Sequence, residues 1–213
     1  MSNDIADIRK DYKLQTLLES NVHGNAIEQF TRWWNEALAS SIDEVNAMTL
    51  ATANNNGIPS ARIVLLKGYS EAGFVFFTNY NSHKGRELNA NPNAALVFFW
   101  KELERQVRIE GVVEKISEEE SDQYYYSRPE GSRVGAWASP QSEPVTREWL
   151  EDNFTSYTNQ VKDHFISRPP HWGGYRVKPQ LIEFWQGRPS RLHDRIEYTL
   201  EANGGWHIIR LAP

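Results

Sequence analysis

The chain contains no cysteine. That absence removes disulfides, thiolate metal sites and a catalytic thiol together, and it makes a reducing, intracellular compartment the expected setting. Long apolar runs are missing too. No stretch approaches the roughly 18 residues a membrane-spanning helix needs, and the amino terminus, MSNDIADIRKDYK, lacks the apolar centre of a secretory signal. A soluble, cytoplasmic protein without a membrane partner is expected. Positive charge is not in excess either: Lys and Arg number 23 against 28 Asp and Glu, for a formal net charge of -5. That balance argues against a face built to neutralise nucleic acid, so any bound anion is small and locally held. GxGxxG, Walker, GxSxG and HExxH patterns are all absent. The histidines are scattered; His164 and His171 flank SRPP with no ligand at metal spacing, and no metal site is expected. Without an evident protein nucleophile or metal, an organic cofactor is the natural carrier of reactivity.

What is present begins with aromatics, 12% of the chain including eight Trp, enough for a large core, an interface or a planar ligand. The 213 residues fit one sizeable domain. Residues 1–24 have no periodicity and read as a mobile arm, with residues 25–213 as a single domain. From Asn25, the spacing of Ile27, Phe30, Trp34, Ala37 and Leu38 predicts an amphipathic helix, capped by Asn25 with Glu28. Short strand-like runs follow, AMTLATA, SARIVLLKG and FVFFTN, separated by NNNG and SEAG turns that suit antiparallel hairpins. A helical piece at Ser82–Ala90 precedes AALVFFW and ERQVRIEGVVEKI. In the latter, Val107, Ile109 and Val113 alternate with Gln106, Arg108 and Glu110 as in a half-buried strand. Ser117 with Glu120 predicts a capping box opening a helix toward Tyr126, and Val145, Trp149, Phe154, Tyr157, Val161 and Phe165 mark a longer one. Three final strands follow PPHWGG, the last two joined at Asn203, Gly204 and Gly205. A mainly β chain with these short links removes its exposed edges most simply as an antiparallel barrel surrounded by helices.

Four polar clusters stand out. Arg62 and Lys67 bracket IVLL, Thr78 ends the next strand and Lys84 opens a helical turn; together they suit a phosphate, singly they suit solvent. Tyr124 to Ser132, YYYSRPEGS, reads equally as an anion clamp on a loop or as a helix end with a favourable cation. Gln141 and Ser142 precede the long helix, where Ser142 reads as its N-cap. In FWQGRPSRLHDR, Phe184–Arg195, an extended chain puts Arg191, His193 and Arg195 on one face, where they repel unless an anion lies between them. Asp194 then points to the opposite face, and Arg188 reads as a solvent-facing turn residue.

RIVLLK at 62–67, FFTNYNSHKG at 76–85, ERQVRIEG at 104–111, SRPEGSRVGAWASPQS at 127–142, IEFWQGRPSRLHDR at 182–195 and the RLAP terminus closely resemble the pyridoxine/pyridoxamine 5'-phosphate oxidase family, in order and over nearly the whole chain. The resemblance implies an antiparallel FMN-binding split β-barrel working as a homodimer, with FMN at the subunit interface. It implies oxidation of pyridoxine 5'-phosphate and pyridoxamine 5'-phosphate by O2 to pyridoxal 5'-phosphate, with release of H2O2, and of NH3 from the amine, in vitamin B6 biosynthesis and salvage. For FMN it implies Arg62, Ile63, Val64, Leu65, Leu66, Lys67, Phe77, Thr78, His83, Lys84 and Gln106. Gln141, Ser142, Trp185 and Arg195 would join them from the partner subunit. For the substrate it implies Lys67, Tyr124, Arg128 and Ser132 at the phosphate, Arg191 and His193 over the reacting ring as catalytic residues, and Arg9 and Tyr12 from the arm. One departure is His83, where the family's SRK has arginine; an imidazole makes charge there depend on pH near neutrality. A nicotinamide-dependent flavin reductase and a non-catalytic binder of FMN or pyridoxal phosphate remain as competing readings, and a nucleic-acid-binding barrel is disfavoured by the charge.

Overall fold

A computed structural model describes residue 5 and residues 10–163 and 166–213. Arg9 and Phe165, both expected to have roles, lie outside the described residues. Among the described residues there are nine strands: β1 Ala47–Ala53, β2 Pro59–Leu65, β3 Gly68–Ser70, β4 Gly73–Asn79, β5 Asn93–Trp100, β6 Arg105–Lys115, β7 Trp172–Gln186, β8 Asp194–Leu200 and β9 Trp206–Leu211. The described residues also form five α-helices: α1 Ala26–Leu38, α2 His83–Ala90, α3 Glu118–Ser127, α4 Glu130–Ala138 and α5 Arg147–Asp163. The sheet order is β2-β1-β5-β6-β7-β4-β3, with β8 pairing β7 and β9 pairing β8. The β3–β4, β4–β7, β7–β8 and β8–β9 pairs are antiparallel, as the short links within β3–β4, β7–β8 and β8–β9 require.

The chain divides into two compact units. The described residues within 1–49, 95–110 and 179–213 form the first, and those within 50–94 and 111–178 the second. In the first unit, α1 lays its apolar stripe on the core because Ile27, Phe30, Trp33 and Ala37 fall on one helical face. Asn25 caps it, its side chain accepting from the amides of Ile27 and Glu28. Trp33 meets Phe184 edge-on at 5.2 Å between ring centroids, and Phe30 meets Phe98 at 5.4 Å. Phe30, Phe98 and Phe184 are wholly buried.

In the second unit β4 pairs with the first half of β7 from Phe74↔Val177 to Asn79↔Trp172. Ser82 caps α2. The capping box at α3 forms as predicted: Ser117 accepts from the Glu120 amide while the Glu120 carboxylate accepts from the Ser117 amide. Three expectations need correction. The SRPEGS stretch is not a loop throughout, because α4 starts at Glu130 directly after Pro129 and buries Val134, Ala136 and Ala138. Ser142 is not the cap of α5; it sits at φ +75° in the preceding turn, and the Thr146 hydroxyl accepts from the Trp149 amide instead. Finally, the residues from Pro189 to Arg191 form a 3-10 turn with Ser190 and Arg191 at positive φ. Strand β8 begins only at Asp194, so Arg191, His193 and Arg195 do not share an extended face.

Candidate active site

The second unit holds an open cleft of about 500 Å3, lined by residues from β2, β4, α2, α3, α4 and β7. Three of its lining residues are cations, Lys67, Lys84 and Arg128, and none is acidic. Lys84 is buried, its ammonium donating to Thr78 Oγ1 at 3.3 Å; burial, then the nearby Arg62 charge, lowers its pKa. The Thr78 hydroxyl in turn donates a hydrogen bond to Gln141 Oε1 at 3.2 Å. Gln141 therefore lines the cleft of its own chain.

Beside these groups Phe77 stacks on Tyr124 at 3.9 Å and on Trp172 at 5.5 Å, making an aromatic floor. The Arg128 guanidinium lies over Trp172 at 4.6 Å, and Lys67 over Tyr124 at 5.9 Å. Burial pushes the Arg128 pKa down. Among the described residues nothing accepts from its buried Nη1 atom. A buried, unpaired guanidinium nitrogen is costly unless an acceptor fills the space. Here the fillable space contains cations, hydroxyls from Thr78, Tyr124 and Ser132, and flat rings, which is the chemistry of a phosphorylated aromatic ligand.

Arg62 and His83 do not line this cleft; both turn to Glu87, a buried carboxylate on α2. Glu87 Oε2 accepts from Thr52 at 2.5 Å and Ser60 at 2.6 Å, with Arg62 at 3.4 Å, while Oε1 faces His83 Nε2 at 2.9 Å. Burial raises the Glu87 pKa, but the bonds from Ser60, Thr52 and His83 outweigh it and bring the group to about 2. Leu66 is buried in the core, and Ile63, Val64 and Leu65 line the cleft. Ser142 is exposed beside Gln141.

The first unit carries a cleft of about 670 Å3 lined by Lys10, Asp11, Tyr12, Arg188, Ser190, Arg191 and His193. Trp185 packs on His193 at 4.6 Å, and Tyr12 stands edge-on to Trp185 at 5.7 Å. The Arg188 amide donates to His193 Nδ1 at 3.1 Å, so a neutral ring carries its proton on Nε2. Burial, then the Arg191 charge, lowers the His193 pKa, favouring that neutral form. Arg191 is exposed on its left-handed turn.

Arg195 is not waiting for an anion. Its guanidinium donates to both oxygens of buried Glu183, at 2.7 and 3.1 Å, and Arg108 binds the same carboxylate at 2.5 Å. Burial pushes the Glu183 pKa up, yet the Arg195 and Arg108 bonds bring it down overall. Asp194 does neutralise cations, pairing with Arg210 at 2.8 Å and Arg188 at 3.5 Å. Arg188 is accordingly half-buried and paired, not a free turn residue. Gln106 is half-buried on the outward-alternating face of β6. Carboxylates at 183 and 194 were in view in the sequence, but only their tertiary placement shows that Glu183 meets Arg195 and Arg108 and that Asp194 meets Arg210 and Arg188.

Two family models match the chain: "Pyridoxamine 5'-phosphate oxidase" over residues 34–160, and "Pyridoxine 5'-phosphate oxidase C-terminal dimerisation region" over residues 172–213. A pyridoxine/pyridoxamine 5'-phosphate oxidase of Ralstonia nicotianae is 61% identical over 98% of this chain and 99% of its own. The protein of the same name from Trichormus variabilis is 58% identical over the full length of both. Among solved structures, PhzG from Burkholderia lata, in complex with tetrahydrophenazine-1-carboxylic acid, is 30% identical with a TM-score of 0.87, covering 94% of this chain and 99% of its own. A pyridoxamine 5'-phosphate oxidase-related, FMN-binding protein of Nostoc punctiforme shares the fold at a TM-score of 0.71 and 17% identity, covering 89% of this chain and 98% of its own. The mainly β chain with its curled antiparallel sheet is thus a split barrel, and the chain belongs to the pyridoxine/pyridoxamine 5'-phosphate oxidase family of oxidoreductases.

Proposed function

We propose that this chain oxidises pyridoxine 5'-phosphate and pyridoxamine 5'-phosphate to pyridoxal 5'-phosphate, with FMN as its cofactor and O2 as the final electron acceptor. The carrying observation is the acid-free cleft in which the buried Arg128 Nη1 has no acceptor among the described residues. A phosphate oxygen supplies what that nitrogen lacks, and Lys67, Tyr124 and Ser132 line the same space.

The cleft also suits a flavin: Lys84 and Thr78 offer donors to a phosphate, the apolar run Ile63–Leu65 borders them, and Phe77 adds a flat face. In this reading Ile63, Val64, Leu65, Lys67, Phe77, Thr78, Lys84, Gln106, Gln141 and Ser142 hold FMN, with Trp185 and Arg195 supplied by a second copy of the chain, while Arg62 and His83 act from behind the cleft through Glu87. FMN held by these residues would supply two-electron redox chemistry, with O2 as the final acceptor and H2O2 as its product, and the imine formed from the amine substrate would release NH3 on hydrolysis. The residues orient. Lys67, Tyr124, Arg128 and Ser132 fix the substrate phosphate, which limits how the ring lies. Arg191 covers the ring and stabilises charge during transfer, while His193, held neutral by burial and proton-bearing at Nε2, donates a hydrogen bond and serves no obligatory base. Because Arg195 is already matched by Glu183, its remaining hydrogen-bonding capacity suits a neutral acceptor better than a phosphate. The protein is a homodimer in this proposal, which the match of residues 172–213 to a dimerisation region supports.

Arg191→Met tests the assignment. Turnover is expected to fall by about 100-fold or more, the scale of losing one preorganised electrostatic contact, with flavin content unchanged. Full turnover in a folded, yellow Arg191→Met protein would remove Arg191 from the reaction.

A further inference from the structure

Glu104 ends a 3-10 turn before β6 with its backbone in the left-handed region, φ +54°. Its side chain is only 3% exposed. A carboxylate that deeply buried needs donors, and here they come from the amino-terminal segment, about ninety residues away. The amides of Lys13 and Leu14 donate to Glu104 Oε2 at 2.8 and 3.1 Å, and the Lys10 ammonium lies 3.5 Å from Oε1. The Glu104 carbonyl in turn accepts from the Gly187 amide at 2.7 Å and from Gln186 Nε2 at 3.3 Å. One residue thus ties residues 10–14 to the turn that leads into Arg188, Arg191 and His193.

Tyr12 sits within the tied stretch. It meets Trp185 at 5.7 Å and His193 at 6.1 Å, and the approach depends on Gly187, where an added Cβ would fall 2.6 Å from the Tyr12 Cβ. The segment is fastened again further on: the Leu17 amide donates to Asp194 at 3.0 Å, and Arg210 binds both the Leu17 carbonyl and Glu19.

We infer that Glu104 is a positioning residue for substrate binding, its buried carboxylate fixing residues 10–14 so that Tyr12 stands against Trp185 and His193 as a wall of the Arg188–Arg191–His193 cleft. The inference rests on the proposed function for its kinetic consequence and on geometry alone for the placement of Tyr12. Glu104→Gln keeps the size of the side chain but removes the charge that strengthens both amide bonds and the Lys10 pair. In the flavin-loaded protein, trypsin is expected to cut at Lys10 and Lys13 about tenfold faster in the variant, and KM for pyridoxine phosphate is expected to rise about tenfold, the effect of losing a charge-assisted hydrogen bond. Flavin content and melting midpoint stay as in the parent. Gly187→Ala displaces Tyr12 by another route and is expected to raise KM in the same way. In a Tyr12→Ala background Glu104→Gln adds nothing to KM.

Unchanged cleavage overturns the inference, as does a KM effect that persists without Tyr12, or one explained by lost flavin or a lower melting midpoint. If the parent protein turns over neither vitamer, the proposed function fails and the cleavage comparison alone decides the place of Glu104.

Discussion

Arg128 and Arg195 are both arginines in motifs of the same family pattern, yet their surroundings give them opposite tasks. Arg195 is bidentate on Glu183, whereas buried Arg128 Nη1 has no acceptor among the described residues. Removing a buried donor that lacks a partner relieves a cost, so Arg128→Gln is expected to leave the melting midpoint level or raise it. KM for either phosphorylated vitamer should rise by roughly ten- to a hundredfold, since a hydrogen bond to a charged group contributes about 1.5–3 kcal/mol. A fall in both melting midpoint and flavin content, with KM unchanged, would make Arg128 a structural residue. Glu87 gives a pH prediction. Its pKa falls from 4.5 to about 2 in the folded chain, so its contribution is fully present above pH 4.5 and is lost as pH drops toward 2. Glu87→Gln should flatten the decline in stability over that window, measured by denaturant titration at several pH values; an unchanged slope contradicts the pairing. The sequence displayed Arg62, His83 and Glu87 without showing that they meet. Periodicity assigns a side chain to a face, and only tertiary placement supplies its partner.

Elements whose cues are local were legible. Asn25 before α1, Ser117 with Glu120 at α3 and the alternation of β6 all depend on neighbours within a few residues, and each forms where expected. Ser117→Ala should cost about 1 kcal/mol by chemical denaturation, the usual cost of losing an N-cap; no change would mean that α3 is held by packing alone. Gly85 in α2 is more exacting, because an added Cβ would lie 2.1 Å from the Tyr80 carbonyl oxygen. Gly85→Ala is expected to destabilise by about 1–3 kcal/mol, the range of overpacking, and to weaken flavin retention because Lys84 is its neighbour. Helix α4 was not legible: Pro129, Gly131 and Ser132 are turn chemistry, and burial of Val134, Ala136 and Ala138 overrides it. The expected alternation at 191–195 failed for a related reason. Ser190 and Arg191 adopt positive φ, a conformation that residue type signals poorly outside glycine.

Over the whole molecule, a net charge of -5 coexists with a cleft whose charged lining residues are all cations. Carboxylates are abundant, but Glu183, Asp194, Glu87 and Glu104 are committed to arginines, hydroxyls and backbone amides. The positive surplus is therefore local, as a small phosphorylated ligand requires. Among the described residues no helix is long and apolar enough to cross a membrane. The central claim is flavin-dependent oxidation of phosphorylated B6 vitamers, and it is tested most directly on the purified protein, by its visible spectrum together with peroxide release on adding pyridoxine phosphate or pyridoxamine phosphate without nicotinamide. The expected result is a yellow protein that forms pyridoxal phosphate and peroxide in equal amounts from either vitamer, with ammonia from the amine alone. A colourless protein that binds no added FMN, or bound flavin with no vitamer-dependent peroxide, would contradict the account.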